Sequence, residues 1–134
     1  MKIYFAGSIR GGRKYAKTYR ELVAGLRRYG EVLTEHVADE TLLREEKQLS
    51  DVQIFQRDVD WIRRSDVIVA EVSQPSLGVG YEIALAESLG KRVVCLFQKG
   101  AGRLSAMLTG NSGVTVIEYG ELVEAWAALG KWLG

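Results

Sequence analysis

The sequence predicts a doubly wound α/β fold of the flavodoxin or Rossmann kind, with about five parallel strands and helices on both faces. Three observations carry that prediction. Short apolar runs bounded by turn residues recur along the chain, which is how strands buried on both faces read. Between them lie stretches whose apolar side chains repeat at helical spacing, so strand and helix alternate almost throughout. The length, 134 residues, is about one domain's worth, and 1–134 is read as a single domain.

The first strand is "KIYFAG" (2–7). Residues 13–29 follow as a helix with Tyr15, Tyr19, Leu22, Val23 and Leu26 on one face and Gly30 as its stop. "EVLTEHV" (31–37) is a weaker strand. The polar stretch 38–50 reads either as solvated surface or as a short helix or lid. A helix over 48–64 places Val52, Phe55, Val59 and Ile62 on one stripe expected to be buried. The strand "DVIVAEV" (66–72), a helix over 79–89 and the strand "RVVCLF" (92–97) come next. "QKGAGRLSAM" (98–107) is a glycine-bearing turn into a helix, followed by the strand "VTVIEY" (114–119) and a helix over 119–133. Trp61, Trp126 and Trp132 fall in helices at amphipathic spacing and are expected in the core or in a dimer contact.

Charge narrows the function. Eighteen Lys and Arg stand against seventeen Asp and Glu, a net charge of +1, which lacks the basic excess of a protein that neutralises many phosphates on a nucleic acid polymer. A small anionic ligand fits this balance. The one cysteine, Cys95, sits inside an apolar run and is read as core, so no intramolecular disulfide forms and a reducing, cytoplasmic setting is expected. The opening "MKIYFAGS" turns to glycine too early for a secretory signal or a membrane span.

In doubly wound sheets ligands sit at the carboxyl ends of the strands, near the point where strand order reverses. Segments 7–12, 73–82 and 98–105 qualify. In "GSIRGG" (7–12), free backbone N–H groups at a helix start favour an anion, and Ser8 and Arg10 add a hydroxyl and a cation. The loop matches neither the Walker pattern nor the dinucleotide fingerprint, and a bare turn needs one glycine rather than three. In "QPSLGVGYE" (74–82), Pro75 fixes a backbone angle, Gly78 and Gly80 allow close approach of a ligand or special angles, and Ser76 can donate to an anionic oxygen.

Glu82 then falls in about the first helical turn, where the dipole and nearby amides keep a carboxylate ionised. It reads equally as a nucleophile or as an ordinary helix-start charge. A second carboxylate favours the first reading. Asp58 lies on the flank of the Val52–Ile62 stripe and can reach a cleft, whereas Asp60 points nearly opposite, to solvent. Two carboxylates converging on one pocket are the equipment of glycosidic-bond cleavage.

On these residues the chain resembles the nucleoside 2-deoxyribosyltransferase superfamily, most closely its hydrolytic branch, the 2'-deoxynucleoside 5'-phosphate N-hydrolases. The matching text is "YFAGSIRGGR" (4–13), "YGEVLTEHVA" (29–38), "RDVDWIRRSDVIVAEVSQPSLGVGYE" (57–82) and "LSAM" (104–107). The resemblance implies that Glu82 is the nucleophile, that Asp58 lies near the sugar and base, and that Tyr4 positions the nucleophile or sugar. It implies a 5'-phosphate site at Ser8, Arg10 and Ser76, with Ile9, Gly11 and Gly78 also lining the substrate and His36 near the base. Ile9 reads equally as a loop residue closing the core, and His36 equally as a structural one. Ser105 and Met107 would complete the neighbouring site of a homodimer. The reaction calls for no metal and no cofactor. Rival readings are base exchange between nucleosides, hydrolysis of a ribonucleotide such as CMP, a cytokinin-activating phosphoribohydrolase, and a nucleotide sensor without turnover.

Overall fold

The computed structural model describes residues 1–8, 14–34 and 48–134. Five parallel strands, β1 (Lys2–Ala6), β2 (Glu31–Val32), β3 (Val67–Glu71), β4 (Arg92–Gln98) and β5 (Thr115–Tyr119), form one sheet in the order β2-β1-β3-β4-β5. The helices are α1 (Ala16–Leu26), α2 (Asp51–Arg64), α3 (Leu77–Ser88), the short α4 (Ala106–Thr109) and α5 (Leu122–Leu133). This is the predicted α/β architecture. Strand order reverses between β1 and β3, so the chain leaves these two neighbours toward opposite sides and opens a crevice at their carboxyl ends.

Strand residues alternate between two cores. Ile3, Phe5, Val67, Val69, Val94 and Leu96 pack with α1 and α5 on one face. Tyr4, Ala6, Ile68, Ala70, Val93 and Cys95 pack with Ile62 of α2 and with Val79, Ile83 and Ala86 of α3 on the other. Cys95 is fully buried, and burial pushes its thiol up to about 12. The expected face of α1 is buried in full, and Trp126 and Trp132 pack against it and its neighbours. No helix among the described residues is long and apolar enough to cross a membrane.

Several expectations change. The helix predicted over 13–29 is α1, ending at Leu26, and Gly30 is required by close approach rather than by a left-handed cap. A Cβ there would stand 2.0 Å from the Met1 carbonyl oxygen, which accepts the Glu31 N–H at 3.0 Å. Strand β2 is short, and the Thr34 hydroxyl takes over its pairing, accepting the Phe5 N–H at 2.7 Å and donating to the Phe5 carbonyl at 2.8 Å. The last residues predicted for that strand, 35–37, lie outside the described residues, as do 38–47 of the polar stretch. On α2 the predicted stripe is not buried along its length. Ile62 is, but Val52 is 63% and Phe55 53% exposed, because the sheet lies only under the C-terminal half of the helix.

Candidate active site

Each element delivers one group to the crevice. Tyr4 lies on β1, buried on the α2–α3 face. Helix α2 opens with a capping box: Ser50 Oγ accepts the Gln53 N–H at 3.1 Å, and Gln53 Oε1 accepts the Ser50 N–H at 2.8 Å. That start fixes the phase of the helix. Asp58 then faces inward with its side chain 22% exposed, while Asp60 is 63% exposed and pairs with Arg64 one turn on.

Helix α3 starts one residue after Ser76, whose Oγ accepts the Val79 N–H at 3.2 Å. This moves two predicted features. Gly78 and Gly80 are helical, with no positive φ, rather than part of a loop with special angles. Glu82 falls in the second turn, beyond the reach of the helix-end dipole. A side chain flanks the carboxylate instead. Burial, then the charges of Glu82 and Asp58, hold the Tyr4 phenol far above its ordinary value. Tyr4 therefore keeps its proton and has it to donate.

Gly78, four residues before Glu82, occupies the same helical face. A Cβ built on it would lie 3.8 Å from Ser76 Oγ and 4.0 Å from Glu82 Oε1, so the missing side chain leaves an open floor between a hydroxyl and a carboxylate. The glycine serves access. Ser76 caps with its oxygen and keeps its proton to donate, which suits an anionic oxygen of a ligand.

The structure thus brings Tyr4, Asp58 and Glu82 together electrostatically, with Ser76 and Gly78 at their edge. Ser8 is buried at the carboxyl end of β1, where its N–H donates to the Tyr19 hydroxyl at 3.1 Å. Ser105 and Met107 stand at the exposed start of α4, joined by a bond from the Met107 N–H to Ser105 Oγ at 3.2 Å, with Met107 81% exposed. Ile9, Arg10, Gly11 and His36 lie outside the described residues.

Arg57 also lies beside these groups, and sequence patterns did not single it out. Its Nε donates to Asp58 Oδ1 at 3.0 Å, its guanidinium lies 4.9 Å from the Trp61 ring centre, and its charge opposes the two carboxylates at Tyr4. The available signal was the i, i+4 spacing of Arg57 and Trp61 beside an inward acid. Glu71 was missed as well, although a carboxylate inside the apolar run "VIVAEV" is a signal in itself. Among the described residues no group of acidic, histidine and cysteine side chains has the arrangement of a metal site.

Comparison with known proteins shows the family. A model of the nucleoside 2-deoxyribosyltransferase family matches residues 3–121. The chain is 52% identical over 125 residues to a rat (Rattus norvegicus) protein named 5-hydroxymethyl-dUMP N-hydrolase, covering 89% of this chain and 77% of that one. It is 45% identical over 130 residues to a protein of Syntrophotalea carbinolica provisionally named 2'-deoxynucleoside 5'-phosphate N-hydrolase 1, covering 96% and 92%. The solved CMP N-glycosidase of Clostridium botulinum shares the fold, with a TM-score of 0.69 at 22% identity over 98% of this chain and 99% of that one. With its doubly wound sheet, its paired carboxylates at the β1/β3 crevice and a family match over nearly its whole length, the chain belongs to the nucleoside 2-deoxyribosyltransferase family.

Proposed function

We propose that the protein hydrolyses the N-glycosidic bond of 2'-deoxynucleoside 5'-monophosphates, releasing the free base and 2-deoxyribose 5-phosphate. The observation that carries this is the open floor at Gly78 between Ser76 and Glu82, with the Tyr4 phenol in the field of Glu82 and Asp58 beside it. The names of the relatives support it, and 5-hydroxymethyl-dUMP is one nucleotide to include among the substrates tested.

In this reading a Glu82 oxygen attacks C1' as the C1'–N bond breaks. The bonding pair leaves with the base, which takes up a proton, and a glycosyl ester on Glu82 remains. Water then adds at C1', the ester bond breaks, and Glu82 is restored as a carboxylate. Tyr4 holds the attacking group in line, and Asp58, paired with Arg57, faces the sugar and base. A 2-deoxy sugar favours the step because no electron-withdrawing 2'-hydroxyl opposes the positive charge developing at C1'. Ser8, Arg10 and Ser76 hold the 5'-phosphate, with Ile9 and Gly11 beside them, and His36 stands near the base. The ribose ring separates the phosphate from Glu82, so the two anions do not meet.

The reading includes a homodimer in which Ser105 and Met107 complete the partner's site. Exposed apolar side chains support it. Phe55 and Tyr81 form a ring pair 6.2 Å apart at the surface of α2 and α3, flanked by Val52 and by Leu77, which is 97% exposed. It also includes a cytoplasmic location, supported by the buried thiol of the chain's one cysteine, Cys95.

The test is a panel of ribo- and deoxynucleoside monophosphates, and the matching nucleosides, with liberated base measured by chromatography in the presence and absence of an acceptor base. Release from deoxynucleotides without an acceptor is the expected result. Release only when an acceptor base is present assigns base exchange instead, and binding without release assigns a sensor. Glu82→Ala should lower turnover by at least about a thousandfold while nucleotide binding persists.

A further inference from the structure

On the opposite face of the sheet from Tyr4 and Glu82 lies a second, wholly buried carboxylate, Glu71, at the carboxyl end of β3. Its Oε1 accepts the Ser73 N–H at 2.6 Å, and its Oε2 accepts the Ser73 hydroxyl at 3.0 Å and the Tyr119 phenol. Ser73 Oγ in turn accepts the Gln98 N–H at 2.8 Å. One carboxylate therefore ties the chain leaving β3 to the carboxyl ends of β4 and β5, three residues before Ser76.

The same group reaches the other turn. Tyr19, whose hydroxyl accepts the Ser8 N–H, is pushed up to about 12 by burial and then by the Glu71 charge. Its ring lies so close to Gly7 that a Cβ there would stand 2.9 Å from it. The Glu71 network thus lies directly behind the turn that carries Ser76, and its charge is felt at Tyr19, the partner of Ser8. Stability alone gives little reason for an anion here, since well-packed apolar side chains commonly replace buried charges at no loss. What a carboxylate adds is a directional set of three accepted bonds that fixes Ser73 in one orientation.

We propose that Glu71 is a positioning residue for recognition of the 5'-phosphate: it touches no substrate, and it sets the turn that places Ser76. This rests on the nucleotide-hydrolase reading above. The experiment is steady-state kinetics of the whole protein on a deoxynucleoside monophosphate, with 2-deoxyribose 5-phosphate and inorganic phosphate as competing inhibitors, for the wild type, Glu71→Gln and Ser73→Ala. Both variants should raise KM and both inhibition constants by about tenfold, the size of one misplaced charge-assisted hydrogen bond, while kcat changes less than about threefold.

A merely structural role lowers the melting temperature and the active fraction, hence kcat, with KM and the inhibition constants unmoved. That result overturns the proposal, as does a fall in kcat alone. If Glu71→Gln does not fold, Ser73→Ala and Tyr119→Phe keep the carboxylate and decide the question through the same constants. A wild type that releases base from no nucleotide sinks the functional reading, and this inference with it. An active wild type whose KM is indifferent to these substitutions sinks this inference alone.

Discussion

At the residue scale, the Tyr4 phenol lies in the field of Glu82 and Asp58. Burial and the two nearby carboxylates keep that phenol protonated well above its ordinary value of 10.0, so it donates at every working pH. Tyr4→Phe should lower kcat by about ten- to a hundredfold, by the same factor at pH 6 and pH 9, which pH–rate profiles of both proteins will show. Glu71 has the opposite kind of pH signature, in stability. Burial raises its folded-state value above the ordinary 4.5, so between the two values the folded protein keeps a proton that the unfolded chain has lost, and above both Glu71 is the carboxylate that accepts the three bonds. Its contribution is fully present below about pH 4.5 and is lost as pH rises from there through the folded value. Urea denaturation should therefore show Glu71→Gln closing on the wild type, or passing it, as pH rises above 4.5. Sequence made Glu82 and Asp58 visible as candidates because acids at helical spacing and a strand-end turn are local patterns, and Tyr4 only through the family resemblance. Arg57 and Glu71 emerged only when distant partners, the Tyr4–Glu82 pair and Tyr119, were brought beside them.

At the element scale, helix faces were legible and their coverings were not. Periodicity states which residues share a stripe; it does not state what lies under it. For α1 the stripe meets the sheet and is buried, whereas the N-terminal half of α2 runs past it, leaving Val52 and Phe55 exposed. Helix starts behave in the same way. The Ser76 cap fixes Leu77 as the first residue of α3 and moves Glu82 one turn deeper than the glycines suggest. Packing also reverses propensity at Gly25 inside α1, where alanine would favour the helix by about 1 kcal/mol. A Cβ there would stand 2.2 Å from the Trp126 ring, itself stacked on Tyr29 at 6.3 Å. Gly25→Ala should thus destabilise the protein by about 1–3 kcal/mol, read as a lowered melting temperature. At the start of α2, Ser50→Ala should cost about 1 kcal/mol in the same measurement.

At the scale of the whole molecule, the exposed α2–α3 surface bears on assembly. If Val52, Phe55, Leu77 and Tyr81 meet a second copy, Phe55→Glu should yield monomers by light scattering and lose activity along with the dimer. A mixing experiment tests the shared site directly. Glu82→Ala and a Ser105→Ala/Met107→Ala double variant, each inactive, should regain about a quarter of wild-type activity when their subunits exchange, because half the dimers are mixed and each then has one intact site. The amino-acid sequence by itself determined the doubly wound sheet, and it marked out the strand-end segments and acids proposed for the site, since these follow from alternating apolar runs, glycine-bearing turns and helical phase, all local along the chain. Tertiary structure alone decided that a tyrosine on β1 lies in the field of a glutamate on α3, that Glu71 braces three strand ends from behind, and which apolar faces stay open. Those depend on residues far apart in sequence meeting across a desolvated sheet, where hydrogen bonds and charges act strongly and no short-range pattern encodes the partner.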